Sequence, residues 1–192
     1  MIAIIRYNAG NIKSVQNAVS RLGYECIITD KKDDLYAADK VILPGVGEAG
    51  SAMKYLHEKQ LDKVILSLTK PVLAICLGLQ LLCLNSEEGN TKCLGIFDTH
   101  VKKLPPKDKV PHTGWNSFTW IQGDLLNFID VNDDVYYVHS YYSGLCRYTT
   151  AVCDYILPFS AAMQKGNFYA VQFHPEKSAT VGEKVIKNFL EL

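Results

Sequence analysis

Short apolar runs alternate with longer amphipathic stretches through the first half of the chain. The apolar runs have the length of buried strands, and the stretches between them carry hydrophobic residues at helical spacing. Strands are therefore predicted at residues 2–5, 25–29, 41–43 and 71–76, and helices at residues 11–22, 49–57, 61–68 and, soon after Cys76, at residues 78–84. Repeated strand–helix units of this kind favour a parallel sheet that is covered by helices on both faces.

The second half of the chain has short runs with turn signals between them. These runs predict strands within residues 101–108, 116–124 and 134–144, and a hairpin over residues 160–174 that turns at residues 165–167. Ser178 or Thr180 is predicted to begin a last helix that continues to Leu190. The predicted fold is α/β: one doubly wound domain over residues 1–192, with a mostly parallel central sheet, flanking helices and an antiparallel extension.

Composition excludes several classes of function. Of 192 residues, 20 are basic and 20 are acidic, so a net charge of zero gives no electrostatic basis for binding nucleic acid or an anionic membrane. No apolar run approaches the roughly 20 residues that span a bilayer, and no basic region precedes the first strand as in a signal peptide. The six cysteines include no C-x-x-C pair. We therefore expect reduced thiols in a cytoplasmic protein, with no metal site and no cofactor.

Cys76 is the first candidate for chemistry. A buried strand, PVLAIC, ends at this cysteine and a helix follows at once, which is the arrangement of a nucleophile elbow. Ala74 and Gly78 provide the small residues that the tight turn requires on either side. The positive end of the helix dipole favours a thiolate, and the N–H of Leu77 is expected to face an oxyanion formed by attack from Cys76. From the residues alone, a structural cysteine on a buried strand is an equally good interpretation.

His174 and Glu176 form the second candidate pair. Alternate residues of an extended chain share a face, and Pro175 disfavours a helix, so the two side chains are predicted to project together. A carboxylate beside an imidazole sets the tautomer of the ring and leaves its other nitrogen free to move protons. The alternative is a surface histidine and glutamate at the end of a strand. No third residue at a suitable spacing supports a metal site.

The segments around these candidates, together with four further segments, carry a resemblance to a known family. LPGVG (residues 43–47), ICLGLQLL (residues 75–82) and QFHPEKS (residues 172–178) resemble the class I, triad-type glutamine amidotransferases. Within that class, AGNIKSV (residues 9–15), VPHTGWNSF (residues 110–118) and VYYVHSYY (residues 135–142) resemble the glutaminase subunits of imidazole glycerol phosphate synthases. The resemblance implies a heterodimer with a (β/α)8-barrel cyclase subunit in histidine biosynthesis. Ammonia from glutamine is then used to make imidazole glycerol phosphate and an aminoimidazole carboxamide ribonucleotide.

The resemblance also implies roles for individual residues. Cys76 is the nucleophile, His174 the base and Glu176 the carboxylate that orients it. The implied oxyanion donors are Leu77, Val46 and Gly47; the implied glutamine-binding residues are Gln80, His139, Ser140 and Tyr141; and the implied partner-facing residues are Asn11, Trp115, Tyr136 and Lys177. Without the family, the residues favour a strand-ending turn for the PGVG segment and a half-buried aromatic strand for the tyrosines near residue 140.

The sequence departs from the family's pattern in three places. Arg6-Tyr7-Asn8 stands where Asp-Tyr-Gly is usual, Ala74 stands where glycine is common, and Glu48-Ala49 replaces an expected aromatic residue. None of these departures removes a catalytic group. They bear on the identity of the partner and on the coupling to it, because the opening loop is expected near the interface.

The motifs themselves favour a partner. They occupy residues 43–178 and leave no second domain to use the ammonia, which water would protonate, so an acceptor enzyme is expected to dock over the site. We expect low activity from the chain alone and higher activity when the partner and its nucleotide are present. Two alternatives stay open: a related glutaminase that supplies another acceptor, such as a sugar-modifying enzyme, and a non-glutaminase protein with an elbow cysteine.

Overall fold

Strands and helices alternate through the first half of the structure, as the sequence pattern predicts. The computed structural model describes residues 1–7 and 11–192, so Asn8, Ala9 and Gly10 of the opening motif lie outside the described residues. The strands are β1 (Ile2–Ile5), β2 (Cys26–Thr29), β3 (Lys40–Leu43), β4 (Val72–Ile75), β5 (Asn85–Ser86), β6 (Thr91–Lys92), β7 (His100–Lys103), β8 (His112–Asn116), β9 (Trp120–Ile121), β10 (Val135–His139), β11 (Tyr141–Ser143), β12 (Thr149–Tyr155), β13 (Leu157–Lys165) and β14 (Phe168–Val171). The helices are α1 (Ile12–Arg21), α2 (Lys32–Ala37), α3 (Ala49–Glu58), α4 (Leu61–Ser67), α5 (Leu77–Leu81) and α6 (Ala179–Glu191), with short 3-10 turns at Glu88–Asn90, Asp124–Leu126 and Pro175–Lys177.

One eight-stranded sheet forms the centre of the fold, in the order β2-β1-β3-β4-β14-β13-β12-β9. The five strands from β2 to β14 are parallel, and β13, β12 and β9 continue the sheet in antiparallel pairs. Two smaller sheets, β10-β8 and β11-β7-β5-β6, lie beside it. The predicted fold class, a doubly wound and mostly parallel sheet with an antiparallel extension, is confirmed.

The parallel strands β1, β3, β4 and β14 are buried on both faces, whereas the edge strand β2 is only partly buried. In β4, Val72 and Ala74 belong to one hydrophobic cluster, and Leu73 and Ile75 belong to the other. Residues of α2, α3 and α4 pack in the first cluster, and residues of α1 and α6 pack in the second. Burial on both faces explains why these strands read as continuous apolar runs rather than alternating ones.

Several local predictions are wrong. Helix α2 was not predicted, because Leu35 is its one buried residue and so leaves little periodicity. Strand β12 was not predicted either, although Thr149, Ala151 and Cys153 alternate with less buried neighbours. Helix α5 ends at Leu81, earlier than predicted, and the chain then turns away to pair with the segment before β7. In the described ranges, 1–7 and 11–192, no helix is both long enough and apolar enough to cross a membrane.

Candidate active site

Cys76 lies at the carboxyl end of β4, in the middle of the central sheet. Its backbone has φ 53° and ψ −106°, which is a strained conformation for a residue with a side chain. Helix α5 begins at the next residue, and the N–H of Cys76 donates a hydrogen bond of 2.7 Å to the carbonyl of Val171 on β14. The predicted nucleophile elbow is therefore present: the turn lifts the thiol out of the strand at the edge where ligands of parallel sheets bind.

Two glycines make this turn possible. A Cβ built on Gly78 would lie 2.3 Å from the carbonyl oxygen of Leu43, and a Cβ on Gly45 would lie 2.7 Å from the amide nitrogen of Gly78. Backbone atoms cannot move aside as a flexible side chain can, so both positions are sterically restricted to glycine. Ala74, where the family commonly has glycine, is accommodated as part of the buried strand.

His174 and Glu176 come together as predicted, although by a different backbone path. His174 is extended, but Pro175–Lys177 forms a 3-10 turn, so the prediction of an extended chain through Glu176 is wrong. The turn is stabilised by a hydrogen bond of 2.7 Å from the Ser178 hydroxyl to the carbonyl of His174. It still places the Glu176 carboxylate 2.8 Å from Nδ1 of His174, and both side chains are only 1% exposed.

The hydrogen bonds of this pair fix the tautomer of the ring. An ionised carboxylate only accepts, so Nδ1 of His174 carries the proton that is donated to Glu176. Asn11 donates a second hydrogen bond of 2.5 Å to the same carboxylate oxygen. Within the described part of the chain, Nε2 of His174 is buried and has no hydrogen-bond partner. That nitrogen is therefore available for proton transfer.

The electrostatic surroundings of His174 point to Cys76. Burial of the ring opposes its protonated form, but the neighbouring Cys76 and Glu176 outweigh burial and raise the pKa of His174 to about 10. At neutral pH the imidazole of His174 therefore carries a proton.

The predicted oxyanion donors lie around the thiol, but one of them is occupied. The N–H of Leu77 donates to the carbonyl of Gly45 at 3.4 Å, a long bond. Val46 and Gly47 follow Gly45 and line the same cavity as Cys76. Gly47 has φ 124°, a conformation that favours glycine. In this conformation the carbonyl oxygen of Gly45 accepts from the N–H of Leu77, the donor that an oxyanion would need.

A cavity of about 530 Å³ opens over the thiol. It brings together the predicted residues Asn11, Val46, Gly47, Cys76, Leu77, Gln80, His139, Ser140, Tyr141 and Lys177. The cavity lining does not include Trp115 or Tyr136, nor His174 and Glu176 of the predicted triad. Over residues 1–7 and 11–192, no group of three or more His, Cys, Asp and Glu side chains could hold a metal ion.

Residues 3–192 match the family described as glutamine amidotransferase class-I. The chain belongs to this family. The imidazole glycerol phosphate synthase subunit HisH of Bacteroides fragilis (strain YCH46) is 56% identical over 100% of this chain and 99% of the relative. The subunit HisH of Bacteroides thetaiotaomicron is 53% identical over the same shares of the two chains. A solved glutamine amidotransferase structure has a TM-score of 0.72 and 19% identity, and covers 100% of this chain and 98% of that one. The resemblance that the motifs predict is confirmed.

Two polar residues of this glutamine amidotransferase were missed in the sequence: the partly buried Glu88 and the fully buried Gln172. Glu88 lines the cavity, and its carboxylate accepts a hydrogen bond of 2.8 Å from the N–H of Ala49. Burial raises the pKa of Glu88. Gln172 is fully buried beneath Cys76. The signal for Gln172 was its place in the QFHPEKS motif, directly after an apolar strand; Glu88 lies in a 3-10 turn and gave no periodic signal.

His139 is a glutamine-binding candidate, but its ring is engaged within the protein. Its Nδ1 donates to the carbonyl of Tyr141 at 2.8 Å, so its Nε2 must accept from Nδ1 of His112 at 3.1 Å. His112 is stacked between Tyr155 and Tyr137, with ring centroids 3.9 Å and 4.7 Å away. The ring of His139 therefore supports the backbone of the cavity wall. Burial lowers the pKa of His139 to about 3 and that of His112 to about 4.

This neutral histidine pair predicts a pH-dependent stability. In the unfolded chain both rings take up a proton near pH 6.5, while the folded protein binds neither until about pH 4, so acid favours unfolding. The free energy of unfolding is expected to fall below pH 6.5, by up to about 1.4 kcal/mol per pH unit for each ring. His112→Phe keeps the stacking and removes one ring that titrates. Between pH 6.5 and pH 4.5, the free energy of unfolding from urea titrations should therefore fall less steeply in this variant than in the native protein. Equal slopes in the two proteins would contradict this assignment.

Three of the four predicted partner-facing residues lie together beside the cavity, whereas the fourth, Asn11, is partly buried and donates to Glu176. Trp115 is 54% exposed and packs edge-on against Tyr136, with ring centroids 5.8 Å apart. The ammonium of Lys177 lies 5.8 Å above the Tyr136 ring, and Lys177 also lines the cavity. An aromatic pair with a cation at its edge is typical of protein interfaces. Their role in partner binding stays a prediction.

The charge reversal at Arg6 is compensated locally. The guanidinium donates to Asp30 at 2.7 Å, and the same carboxylate accepts from the hydroxyl of Tyr55 at 3.1 Å. These bonds lower the pKa of Asp30, chiefly through the hydrogen bond from Arg6. Arg6 therefore makes its contacts within the subunit and does not disturb the elbow or the triad.

Proposed function

We propose that this chain, as one cytoplasmic domain over residues 1–192, hydrolyses glutamine with Cys76, His174 and Glu176 and passes the ammonia to a (β/α)8-barrel cyclase subunit. Membership of the family carries the overall activity: a glutamine amidotransferase subunit of imidazole glycerol phosphate synthase, in histidine biosynthesis. The observation that carries the proposed mechanism is the buried ring of His174, held by Glu176 at one nitrogen and free at the other.

The first half of the reaction forms a thioester. The Cys76 thiolate attacks the carboxamide carbon of glutamine, and the carbonyl oxygen becomes an oxyanion that accepts from the N–H of Leu77 and from the turn at Val46 and Gly47. Imidazolium His174 gives its Nε2 proton to the departing nitrogen as the carbon–nitrogen bond breaks, which releases ammonia.

The second half of the reaction hydrolyses the thioester. Neutral His174 takes a proton from water, whose oxygen attacks the thioester. Glutamate leaves, and the thiol group is restored.

The cavity has groups for both ends of the substrate. Glutamine carries an ammonium and a carboxylate on its α-carbon, and Glu88 is the one acidic residue that lines the cavity in the described ranges 1–7 and 11–192. We place the ammonium against Glu88 and the amino-acid end along the backbone of residues 139–141. Gln80 lies between this wall and the thiol, since its Nε2 donates to the carbonyl of Tyr141 at 2.9 Å.

Two features support a cyclase as the acceptor. Full-length identity above 50% to two HisH subunits favours it over a sugar-modifying acceptor. The patch of Trp115, Tyr136 and Lys177 also adjoins the mouth of the cavity, where a partner would receive ammonia before water protonates it. The alternative of a non-glutaminase protein loses its basis, because the chain belongs to a glutamine amidotransferase family.

The occupied donor at Leu77 predicts that the free chain is a poor glutaminase. An oxyanion cannot use this N–H while the Gly45 carbonyl accepts it, and one such donor changes the rate about 100- to 1,000-fold. Adding the cyclase subunit and its nucleotide substrate should therefore raise glutamate formation by about 100-fold or more, because docking biases the turn to its open arrangement.

Two variants make this test specific. The chain has two tryptophans, and both are exposed: Trp115 beside the cavity and Trp120 on edge strand β9. Trp115→Ala should weaken binding to the cyclase and reduce the stimulation, whereas Trp120→Ala should leave both unchanged. If the rate of glutamine hydrolysis does not change when the cyclase is added, the proposed chemistry of Cys76 stands but the cyclase is refuted as the partner.

A further inference from the structure

A buried glutamine, Gln172, contacts the sulfur of Cys76. It follows strand β14, its side chain is 0% exposed, and its backbone N–H donates to the carbonyl of Ala161 at 2.8 Å. Its Nε2 lies 3.6 Å from Sγ of Cys76, and its Oε1 lies 3.1 Å from Nε2 of Gln80. A buried amide is retained only where its polar atoms find partners, and here one of the partners is the nucleophile itself.

The direction of this contact follows from a chain of hydrogen bonds. The carbonyl of Tyr141 can only accept, so the Gln80 atom that faces it at 2.9 Å must be the NH2 nitrogen. The same nitrogen faces Gln172, so the facing atom of Gln172 must be its oxygen. The NH2 group of Gln172 is therefore turned towards the sulfur. No rotation of either amide satisfies the network with an oxygen at the thiol.

The other side of the sulfur has a different partner. The carbonyl of Val138 lies 3.9 Å from Sγ and can accept from a protonated thiol. Gln172 can only donate to the sulfur, and a thiolate is a far better acceptor than a thiol. Ionisation of Cys76 thus weakens the contact with Val138 and strengthens the one with Gln172. His174 remains free to carry the proton.

We propose that Gln172 is a further catalytic residue: it donates a hydrogen bond to the Cys76 thiolate, and Gln80 fixes the orientation of that donor. The proposal rests on the proposed function, since it assumes that Cys76 is the nucleophile. It assigns Gln80 a second task besides substrate binding. Because the same Gln80 amide touches the cavity wall and Gln172, the substrate site and the nucleophile share one hydrogen-bond chain.

The test uses the full chain in complex with its cyclase and compares Gln172→Met with the unchanged protein. Methionine has a similar length and no N–H donor, so kcat for glutamine hydrolysis should fall about tenfold or more, with little change in KM. Alkylation of Cys76 by iodoacetamide, measured on its own peptide, should slow by a similar factor at neutral pH. Gln164→Met on β13 is the matched control and should change neither value.

The pH profile of alkylation separates stabilisation of the thiolate from a structural effect. Alkaline solution ionises a thiol without help, so the alkylation rates of Gln172→Met and the native chain should converge as pH rises. A deficit that is equal at neutral and alkaline pH, or a native rate throughout, would overturn the proposal. If Gln172→Met does not fold, Gln172→Glu serves instead, because it keeps the shape and the acceptor for Gln80; a native alkylation rate there also overturns the proposal.

Failure of this proposal and failure of the proposed function give different results. If Gln172 has no role, the native complex hydrolyses glutamine, Cys76→Ala does not, and Gln172→Met behaves like the native protein. If Cys76 is not the nucleophile, Cys76→Ala retains activity. The alkylation measurement reports on Gln172 in either case, because it needs no glutamine.

Discussion

Cys76→Ala is expected to reduce glutamine hydrolysis by the complex by a factor on the order of 10⁶, the loss typical of removing a covalent nucleophile. A thioester needs a sulfur nucleophile, and His174 and Glu176, which are 1% exposed and bonded to each other, carry none. Glutamine should still bind, because Gln80, Glu88 and the backbone of residues 139–141 are unchanged. Glutamate release in the presence of cyclase and nucleotide is the measurement.

Two controls make the loss interpretable. Cys146→Ala alters a partly buried cysteine outside the cavity lining and should keep native activity. Ammonium salts supplied to the Cys76→Ala complex should restore synthesis by the cyclase, which shows that assembly is intact. Residual hydrolysis within tenfold of the native rate would refute the role of Cys76.

Gly78→Ala is expected to destabilise the fold by about 3 kcal/mol and to abolish the glutaminase. The added methyl carbon would lie 2.3 Å from the Leu43 carbonyl oxygen, so either β3 or the start of α5 must shift. Either shift displaces the thiol from His174. Urea unfolding and glutamine hydrolysis measure the two effects.

Gly144→Ala is the matched control for this substitution. A Cβ built on Gly144 meets no atom within 4 Å, so the variant should have native stability and activity. Equal behaviour of the two variants would show that the elbow tolerates a side chain at residue 78. The steric account of the turn would then be wrong.

The nucleophile elbow and the His174–Glu176 pair could be predicted, because the residues that define each of them lie close together in the sequence. The elbow needs a strand, a cysteine and small neighbours within five residues, and the His174–Glu176 pair lies within three. The predicted sheet followed from the continuous apolar runs, most of which are buried on both faces. These features depend on short-range geometry that the order of residue types determines.

What could not be predicted depends on contacts between distant residues. Gln172 meets Cys76 and Gln80 across 96 and 92 positions of the chain, and His112 meets His139 across 27. The bond from Leu77 to the Gly45 carbonyl likewise joins two segments that are far apart in the chain. Pattern alone contains no information on either.

The strained backbone of Cys76 has a consequence for how such chains change over evolutionary time. A φ of 53° with ψ −106° is strained for any residue with a side chain but not for glycine. The fold would therefore be at least as stable with glycine at residue 76. Selection for the reaction keeps cysteine where selection for stability alone would not. In descendants that no longer need glutamine chemistry, drift at this position should run towards glycine, and a glycine there would mark a lineage that retained the subunit after its reaction was lost.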